Sequence, residues 1–423
     1  MLTRTNVAPP VAQPRPRWEP GTPRPLTPGS TAAQALYHAW SGERIVVIDS
    51  PPGAGKSELI VSLAAHLSVN AGLRVCIATP TRAQALALTE RCLSQMAAKT
   101  VTLSMSGLRP DQRPPGVGSG DDTERKVSIR TIANLAFSTP ADSFDVLLVD
   151  EAYQATFASV SVAWNAAPQI VLVGDPGQIG PVVTVDTSLW ANNKLQPQAP
   201  APDAFVRMDG AVHLSLGQTW RLGQPSVDVL APLYDFPFTS ARRPTTLHLE
   251  GERQPEIAHV SSQPAPDHDD PALMRTVADR AVGLLGGDLS SEVVDEDGNT
   301  TVVSWKAAPG DLAVVLSRNS QCAAVNGMLG ERLGSGHGVV VGTADRLQGG
   351  QWPIVVAADP LAGGVDARGH STSLGRLAVM LSRHTHHLSW VHDGQWESHL
   401  VGRATSVQRA RTVRRLLTGF PAA

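Results

Sequence analysis

Residues 50–57 have the composition of a phosphate-binding loop. They read S-P-P-G-A-G-K-S, follow the apolar run 45–48 and precede a segment with the apolar spacing of a helix. At such a strand-to-helix turn, glycines let backbone N–H groups point at an anion. The lysine can reach the β- and γ-phosphates of a nucleotide, and the last serine is placed for Mg²⁺. The residues expected at the nucleotide are Gly53, Ala54, Gly55, Lys56 and Ser57.

Three further polar side chains follow predicted strands in the same half of the chain. Asp150 and Glu151 come after the strand 145–149, and Gln178 lies in a turn after the strand 169–173. Because the carboxyl ends of parallel strands meet at one edge of a sheet, we expect these groups beside the phosphates. Asp150 would hold Mg²⁺ through water, and Glu151 would orient and deprotonate an attacking water. The amide of Gln178 would sense whether a γ-phosphate is present.

The pattern of strands and helices that must position these residues predicts an α/β protein with two tandem domains. From residue 31 to about residue 185, strand and helix patterns alternate, which indicates a mainly parallel sheet with helices on both faces. The alternation returns in the second half without a phosphate-binding loop, so we expect that half to close on a nucleotide held by the first. A hairpin is predicted in the second half, through residues 295–299. We predict a tail at residues 1–30, a first domain at 31–212 and a second domain at 213–423.

The two ends of the chain have biased compositions. Residues 1–30 contain eight prolines and four arginines but a single acidic residue, which predicts a disordered or polyproline-like tail. A flexible tail and an arm that docks on a partner or on nucleic acid both fit this composition. The arginine-rich segment 403–415 predicts a basic C-terminal helix, either a solvated amphipathic end or another docking surface.

Bulk properties exclude several classes of protein. The net charge of −3 means that any contact with nucleic acid must be local. Cys76, Cys92 and Cys322 lack the spacing of a zinc site or a disulfide framework. No apolar run approaches the roughly 20 residues of a membrane span, and the N-terminus lacks an apolar signal core. We therefore expect a soluble, cytoplasmic protein without a membrane partner.

Six motifs, in their order along the chain, resemble those of the superfamily 1 helicases, in the branch that moves 5′ to 3′. They are S-P-P-G-A-G-K-S (50–57), D-E-A-Y-Q (150–154), G-D-P-G-Q-I-G-P (174–181), Q-T-W-R-L (218–222), T-A-D-R-L-Q-G-G-Q (343–351) and R-L-A-V-M-L-S-R (376–383). The resemblance implies two RecA-like P-loop domains with ATP between them and single-stranded DNA or RNA across their tops. It implies an ATP-dependent helicase or translocase. With no accessory barrel or large insertion evident, the chain looks like a minimal two-domain motor, to which a protein partner could supply processivity or loading.

The same resemblance implies roles for individual residues by matching position. The hydrolytic centre would consist of Lys56, Ser57, Asp150, Glu151 and Gln178, with Mg²⁺ on Ser57 and Asp150. Arg221 and Arg383 would reach in from the second domain and stabilise the transferring phosphoryl group, so that hydrolysis depends on domain closure. Gln34 would read the adenine with its amide, and Gly349 and Gln351 belong to a motif expected at the nucleotide. The groups expected to hold the nucleic-acid backbone are Thr79, Thr81, Ser317, Asn319 and Thr343.

Several positions depart from the family's pattern. Ser50 and Ala378 stand where the family has Gly and Asn, and Gln351 replaces a Glu expected at the nucleotide sugar. Histidines follow Arg383 at positions 384, 386 and 387, and a metal site there is the alternative to ordinary packing.

Two other functions are compatible with a phosphate-binding loop. A nucleotide-gated clamp would close on nucleic acid or protein without stepping along it, and it is the main alternative to the motor. A kinase of a small molecule is the second alternative, but it would not explain the strand–helix repeats after residue 210.

Overall fold

Strands and helices alternate along most of the chain. The computed structural model describes residues 22–119, 126–138, 141–295, 298–363, 370–400 and 407–420, so the predicted tail lies outside the described residues as far as residue 21. The strands of the first half are β1 Ile45–Asp49, β2 Val75–Thr79, β3 Val101–Ser104, β4 Val127–Thr131, β5 Val146–Val149, β6 Gln169–Gly174 and β7 Ala211–Ser215. Its helices are α1 Thr31–Trp40, α2 Lys56–Ala65, α3 Arg82–Cys92, α4 Ile132–Ser138, α5 Phe157–Trp164 and α6 Ala201–Phe205, and a π-helix, His66–Asn70, continues α2.

The second half begins with short strands and contains longer ones later. Its strands are β8 Gln218–Thr219, β9 Thr239–Ser240, β10 Thr245–Leu249, β11 Glu252–Arg253, β12 Ile257–Ser261, β13 Asp288–Val294, β14 Thr300–Lys306, β15 Leu312–Leu316, β16 Val340–Thr343, β17 Trp352–Ala358 and β18 His384–His392. Its helices are α7 Gln224–Leu230, α8 Pro271–Leu284, α9 Asn319–Leu333, α10 Ala344–Leu347, α11 Leu374–Ser382, α12 Trp396–Leu400 and α13 Val407–Thr418.

The first domain is built on a seven-stranded sheet with the order β3-β4-β2-β5-β6-β1-β7, and all its strand pairs are parallel. Every residue of β1 is buried, as expected for a strand that is covered on both faces. Val46 and Ile48 pack with α1, α2 and α3, whereas Ile45 and Val47 pack with α4, α5 and α6. The continuous apolar runs of the sequence therefore reflect a sheet between two helix layers.

The first sheet extends beyond the expected domain boundary at residue 212. β7 pairs with β1 from Ala211 to Ser215, so the boundary falls inside a strand. The sequence showed only a short, half-buried pattern there, because β7 is an edge strand.

The second domain contains a five-stranded parallel sheet with the order β12-β18-β17-β15-β16. Helices α7, α11 and α13 pack on one face, and α8 and α9 pack on the other. The predicted fold class is confirmed: two tandem RecA-like α/β domains, each with a mainly parallel sheet between helices.

A second, antiparallel sheet in the second domain was not expected. The predicted hairpin near residue 298 forms β13 and β14, and the order of this sheet is β11-β10-β13-β14. Most of β14 is exposed. The second domain therefore contains an additional sheet that the expected minimal two-domain motor did not include.

The C-terminal helix α13 is amphipathic. Val413 and Leu416 are fully buried against the second domain, whereas Arg411, Arg414 and Arg415 are exposed. This arrangement is compatible with both alternatives that the sequence offered, a solvated amphipathic end and a docking surface. Within the described residues, no helix combines the length and the apolar character that crossing a membrane requires.

Candidate active site

The phosphate-binding loop connects β1 to α2 in a conformation that requires glycine. Gly53 and Gly55 have φ angles of 72° and 86°, in the left-handed region that other residues rarely adopt. Gly55 is the N-cap of α2, and no atom lies within 4 Å of where its Cβ would be. The loop therefore leaves open space at a helix N-terminus, where backbone N–H groups favour an anion.

Ser50 opens the loop at a position where the motif that it resembles has Gly, and its side chain has a specific partner. It is fully buried, and both its N–H and its hydroxyl donate to the carbonyl of Gly174, each at 2.9 Å. The extra hydroxyl thus ties the start of the loop to the end of β6. The substitution adds a contact away from the open side of the loop.

Lys56, Ser57, Asp150 and Glu151 lie together, as predicted from their positions after β1 and β5. The Ser57 hydroxyl donates to Asp150 Oδ2 at 3.3 Å, and Lys56 Nζ lies 3.7 Å from Glu151 Oε1. Asp150 is 4% exposed; burial, and then the charge of Glu151, raises its pKa to about 7. A serine hydroxyl next to a buried carboxylate is an oxygen pair that fits Mg²⁺.

The loop after β6 places Asp175 and Gln178 at the same edge. Asp175 is buried and accepts hydrogen bonds from the Gln178 amide and from the Tyr234 hydroxyl, the latter at 2.9 Å. Burial raises the pKa of Asp175, and the charge of Lys56 opposes that rise. Gln178 is therefore held close to Lys56 through Asp175, and Tyr234 joins it from the second half of the chain.

The segment that carries Arg221 bridges the two domains. The Thr219 hydroxyl donates to the carbonyl of Pro52 at 2.6 Å, and Trp220 N donates to the carbonyl of Gly53 at 2.9 Å. A Cβ on Gly53 would lie 2.4 Å from Arg221 Cβ, so only glycine fits there. Arg221 is thereby fixed directly against the phosphate-binding loop.

The guanidinium of Arg221 is held by the second domain. Its Nε donates to Gln351 Oε1 at 3.0 Å, and its Nη1 donates to the carbonyl of Ser382 at 3.2 Å. Burial, and then the charge of Arg383, lowers the pKa of Arg221 to about 9. Two guanidinium groups are therefore close enough to repel each other.

Arg383, at the end of α11, is the second of these cations. It is 2% exposed, and burial lowers its pKa while the charges of Asp175 and Glu151 act in the opposite direction. Its Nε is buried without a hydrogen-bond partner among the described residues. The charges of Asp175 and Glu151 thus act on both arginines, and Lys56 Nζ lies 3.7 Å from Glu151 Oε1, so an anion added among the three cations would be stabilised.

The remaining residues expected at the nucleotide have contacts of their own. Gln34 is exposed on α1, and its amide donates to the carbonyl of Gly29 at 3.2 Å. Gly349 is exposed, has a φ of 86°, and lies two residues before Gln351 in the same motif. The amide oxygen of Gln351 is occupied by Arg221. Their predicted roles in holding adenine and sugar stay predictions.

Three of the residues expected at nucleic acid line one polar cavity of about 480 Å³ in the second domain. They are Ser317, Asn319 and Thr343. Ser317 is buried and donates to Gln321, Asn319 is exposed, and the Thr343 hydroxyl caps α10 by accepting from Arg346 N. The carboxyl ends of β15 and β16 bring them together, as neighbouring parallel strands must.

The two residues expected at nucleic acid in the first domain differ in exposure. Thr79 is fully buried and donates to the carbonyl of Thr81, whereas Thr81 is exposed and caps α3. Beside them is a cavity of about 380 Å³ whose lining includes Pro80 and Phe137. Phe137 is 90% exposed near the end of α4, and its place in the sequence did not indicate a role. An aromatic residue in the short helix that follows β4 would have been the signal.

The three histidines after Arg383 do not converge. His384 Nε2 is 2.8 Å from the Ser226 hydroxyl, His386 Nε2 is 2.9 Å from the Ser291 hydroxyl, and His387 Nδ1 is 2.7 Å from the carbonyl of Pro255. Burial lowers the pKa of His386 to about 4 and that of His387 to about 3. These contacts support ordinary packing of the three histidines rather than a metal site.

Sequence reasoning missed the buried groups that brace the site. In the first domain, Asp49 accepts from the Tyr153 hydroxyl at 2.8 Å and lies 2.7 Å from His213 Nε2, which joins β1, the D-E-A-Y-Q segment and β7. In the second domain, Glu256 accepts from Gly223 N at 2.9 Å and from Arg242 Nη2 at 2.8 Å. Each pair is distant in sequence, so no local pattern indicates it.

Comparison with known proteins adds a family match and a set of solved structures. Residues 30–230 match a family model described as AAA domain. No curated protein matches the chain at a significant level.

Similar solved structures include viral helicases. One from PRRSV is 16% identical, with a TM-score of 0.45 and coverage of 85% of this chain and 54% of that one. Arterivirus nonstructural protein 10, also a helicase, is 17% identical, with a TM-score of 0.47 and coverage of 87% of this chain and 64% of that one. The structure of the same arterivirus protein in complex with DNA is 15% identical, with a TM-score of 0.47 and coverage of 87% of this chain and 65% of that one. The chain thus spans between 54% and 65% of the length of these proteins.

Proposed function

We propose that the protein is an ATP-dependent nucleic-acid motor, a helicase or translocase of the superfamily 1 type that moves along single-stranded DNA or RNA. The observation that carries this proposal is the arrangement of three cations around Glu151 and Asp175. Lys56 comes from the phosphate-binding loop, and Arg221 and Arg383 are held by the second domain. A γ-phosphate between them would be neutralised from both sides.

The first domain supplies the groups for hydrolysis. Glu151 lies next to Lys56 in the cleft. Its backbone φ is 51°, an uncommon conformation that fixes the direction of its side chain. In this role its carboxylate accepts the proton of a water that attacks the γ-phosphate. Ser57 and Asp150 would hold Mg²⁺, which when bound neutralises charge on the β- and γ-phosphates.

The second domain makes hydrolysis depend on the relative position of the domains. A Cβ on Gly375 of α11 would lie 2.7 Å from the carbonyl oxygen of Gln178, so this helix packs tightly on the loop after β6. Arg383 stands at the end of the same helix. A change at the γ-phosphate is therefore transmitted from Gln178 to α11 and to its arginine, which is the coupling a motor needs.

The carboxyl edges of the two sheets support single-stranded nucleic acid as the track. The cavity with Ser317, Asn319 and Thr343 offers polar groups for phosphates and sugars. Phe137 offers an exposed ring on which a base can stack. Contacts to phosphates and sugars and stacking on a ring do not depend on which base is present, so we expect little sequence preference.

The proposal is tested by the ATPase rate with single-stranded DNA, single-stranded RNA and duplexes at one fixed salt concentration, because phosphate contacts depend on salt. We expect a single-stranded species to raise the rate over that of the protein alone. Strand displacement on duplexes with a 5′ or a 3′ tail then separates a motor from a clamp. A stimulated ATPase without displacement or translocation would favour the clamp, and no stimulation by any of these nucleic acids would refute the motor.

A further inference from the structure

An apolar groove on the first domain lies away from the candidate active site. It runs between α1 and the π-helix and has a volume of about 440 Å³. Tyr37 and Trp40 of α1 line it and are 62% and 65% exposed. The two aromatic residues are three positions apart, so they lie on the same face of the helix. Large aromatic side chains exposed side by side are typical of surfaces that bind another segment of chain.

The described part of the proline-rich segment already enters this groove. Leu26 is among the lining residues. His66 Nε2 lies 2.9 Å from the carbonyl of Arg24, and His66 Nδ1 lies 3.0 Å from Asn70 Nδ2. With Asn70 donating to Nδ1, Nε2 carries the proton and donates to the carbonyl of Arg24. Arg24 also forms an ion pair with Glu58, at 3.4 Å.

These contacts have the chemistry of polyproline recognition. A polyproline helix has no internal hydrogen bonds, so its carbonyls are available to a donor such as His66. Proline rings of such a helix pack on aromatic side chains, and Tyr37 and Trp40 in the groove lining are exposed enough to receive them. Glu58 already pairs with Arg24, one of the arginines that alternate with the prolines.

The sequence contains the same short motif twice. Residues 23–25 read P-R-P and lead to Leu26, and residues 14–16 read P-R-P and lead to Arg17 and Trp18. The second copy provides the contacts described above. A polyproline segment advances about 3.1 Å per residue, whereas the part of α1 from Ala33 to Trp40 is about 10 Å long, so the first copy can reach the groove from residue 22.

We propose that the groove between α1 and the π-helix is a docking site for polyproline segments, and that residues 14–18 of this same chain occupy its open part, on the exposed faces of Tyr37 and Trp40, beside the contacts that residues 24–26 already make. The tethered segment has a high effective concentration at the groove, so a second copy or a foreign peptide must compete with it. Docking would fix the N-terminal segment on α1, whichever function the cleft between the domains performs.

Limited digestion of the full chain by trypsin tests this proposal. The bonds after Arg15 and Arg24 precede proline and resist trypsin, whereas Arg17–Trp18 and Arg4–Thr5 are cleavable. If residues 14–18 are docked, cleavage after Arg17 should be about tenfold slower than cleavage after Arg4, because it requires prior release.

Matched variants assign the protection to the groove. Tyr37→Ala with Trp40→Ala should bring cleavage after Arg17 to the rate seen after Arg4, and circular dichroism should show that the chain stays folded. Leu189→Ala, at another exposed apolar residue, should keep the protection. Equal cleavage at both arginines in the unchanged chain, or protection that survives the double substitution, would overturn the proposal.

A synthetic peptide of residues 12–21 identifies the occupant. Added in excess, it should displace the tethered segment and speed cleavage after Arg17 severalfold, whereas the same peptide with Pro14→Ala and Pro16→Ala should not. Protection that rises with protein concentration would mean that the segment of a second copy occupies the groove, which contradicts docking within one chain.

Discussion

Three positively charged side chains and three carboxylates share the cleft between the two domains. Lys56 has Glu151 as its neighbour, whereas burial lowers the pKa of both arginines and the charge of Arg383 lowers that of Arg221 further. In the absence of an anion, the burial of two neighbouring guanidinium groups is unfavourable. The charges of these side chains therefore indicate a site that binds phosphate groups.

Glu151→Gln should remove the proton acceptor without removing the phosphate contacts. We expect ATP hydrolysis to fall about 100-fold or more, while ATP binding changes little, because Lys56 and the loop stay in place. Steady-state ATPase assays and binding of a fluorescent ATP analogue measure the two effects. Glu90→Gln, at an exposed position on α3, is the matched control. Hydrolysis that persists in the Glu151→Gln variant would show that another group accepts the proton.

A second residue-scale prediction concerns Asp359, which follows β17. It is fully buried, its Oδ2 has no hydrogen-bond partner among the described residues, and burial raises its pKa to about 7. Because the folded-state pKa lies above the unfolded value, the protonated form stabilises the fold at low pH, and this stability is lost as pH rises towards 7 and above. Asp359→Asn keeps an acceptor for Leu361 N but carries no charge.

We therefore expect Asp359→Asn to raise the free energy of unfolding at pH 8, relative to its effect at pH 5, by roughly 2–4 kcal/mol. Urea titrations of both proteins across this pH range measure the difference. A difference that does not change with pH would show that Asp359 is not a buried, uncompensated carboxyl group.

Residue spacing predicted the parts of the site that follow strands, and it missed the parts that depend on long-range contacts. The positions of Lys56, Asp150 and Gln178 after consecutive strands placed them at one sheet edge. Tyr234 and Glu256 gave no such signal, because a single buried hydrogen bond leaves no periodic pattern in the sequence.

At the scale of elements, Glu256 links the two segments that carry the arginines. It accepts from Gly223, two residues after Arg221, and its Oε1 lies 3.4 Å from Nε2 of His384, the residue after Arg383. A Cβ on Gly223 would lie 1.9 Å from Glu256 Oε2, so the fit is tight. Burial would raise the pKa of Glu256, but the hydrogen bond from His384 and the charges of His384 and Arg242 lower it to about 2.

Glu256→Gln should both destabilise the second domain and slow hydrolysis. Arg242 would lose its buried partner, which costs about 3–5 kcal/mol at neutral pH. Because the pKa of Glu256 is depressed, its contribution is present above pH about 4.5 and disappears as pH falls towards 2, so the variant should lack this acid dependence.

Thermal unfolding between pH 3 and pH 7 checks the prediction for Glu256, and an ATPase assay at a temperature where the variant is folded checks the effect on the arginines. Glu252→Gln, on the exposed strand β11, is the control. A variant with unchanged stability would mean that Arg242 finds another partner.

The elements themselves were predictable to different extents. The parallel strands of both central sheets were evident because buried strands read as continuous apolar runs. The antiparallel sheet was recognised only as one hairpin, because β10 and β11 are short and half-exposed and pair with a partner far along the chain.

At the scale of the whole molecule, the packing of α11 on the loop after β6 joins the two domains. Gly375 allows this contact, because a Cβ there would lie within 3 Å of the backbone of Gln178 and Ile179. The sequence could not reveal it, since a helical glycine also occurs where nothing is near.

Gly375→Val should push the domains apart. We expect the rate of ATP hydrolysis to fall about tenfold or more, with faster hydrogen exchange in residues 174–181, because Arg383 is then displaced from the first domain. Gly327→Ala on α9 is the control: no atom lies within 4 Å of its Cβ, so it should be neutral or stabilise by about 0.5–1 kcal/mol. Normal hydrolysis in the Gly375→Val variant would argue against coupling through this contact.

The central claim, that both domains complete one ATP site and couple it to a nucleic-acid track, is tested most directly by one measurement. It is the ATPase rate of the unchanged chain and of Arg221→Ala, with and without a single-stranded oligonucleotide at fixed salt. The oligonucleotide should raise the rate of the unchanged chain, and the Arg221→Ala variant should stay at least about 100-fold slower under both conditions. An unchanged chain that hydrolyses ATP at the same rate with and without the oligonucleotide, or an Arg221→Ala variant as fast as the unchanged chain, would contradict the account.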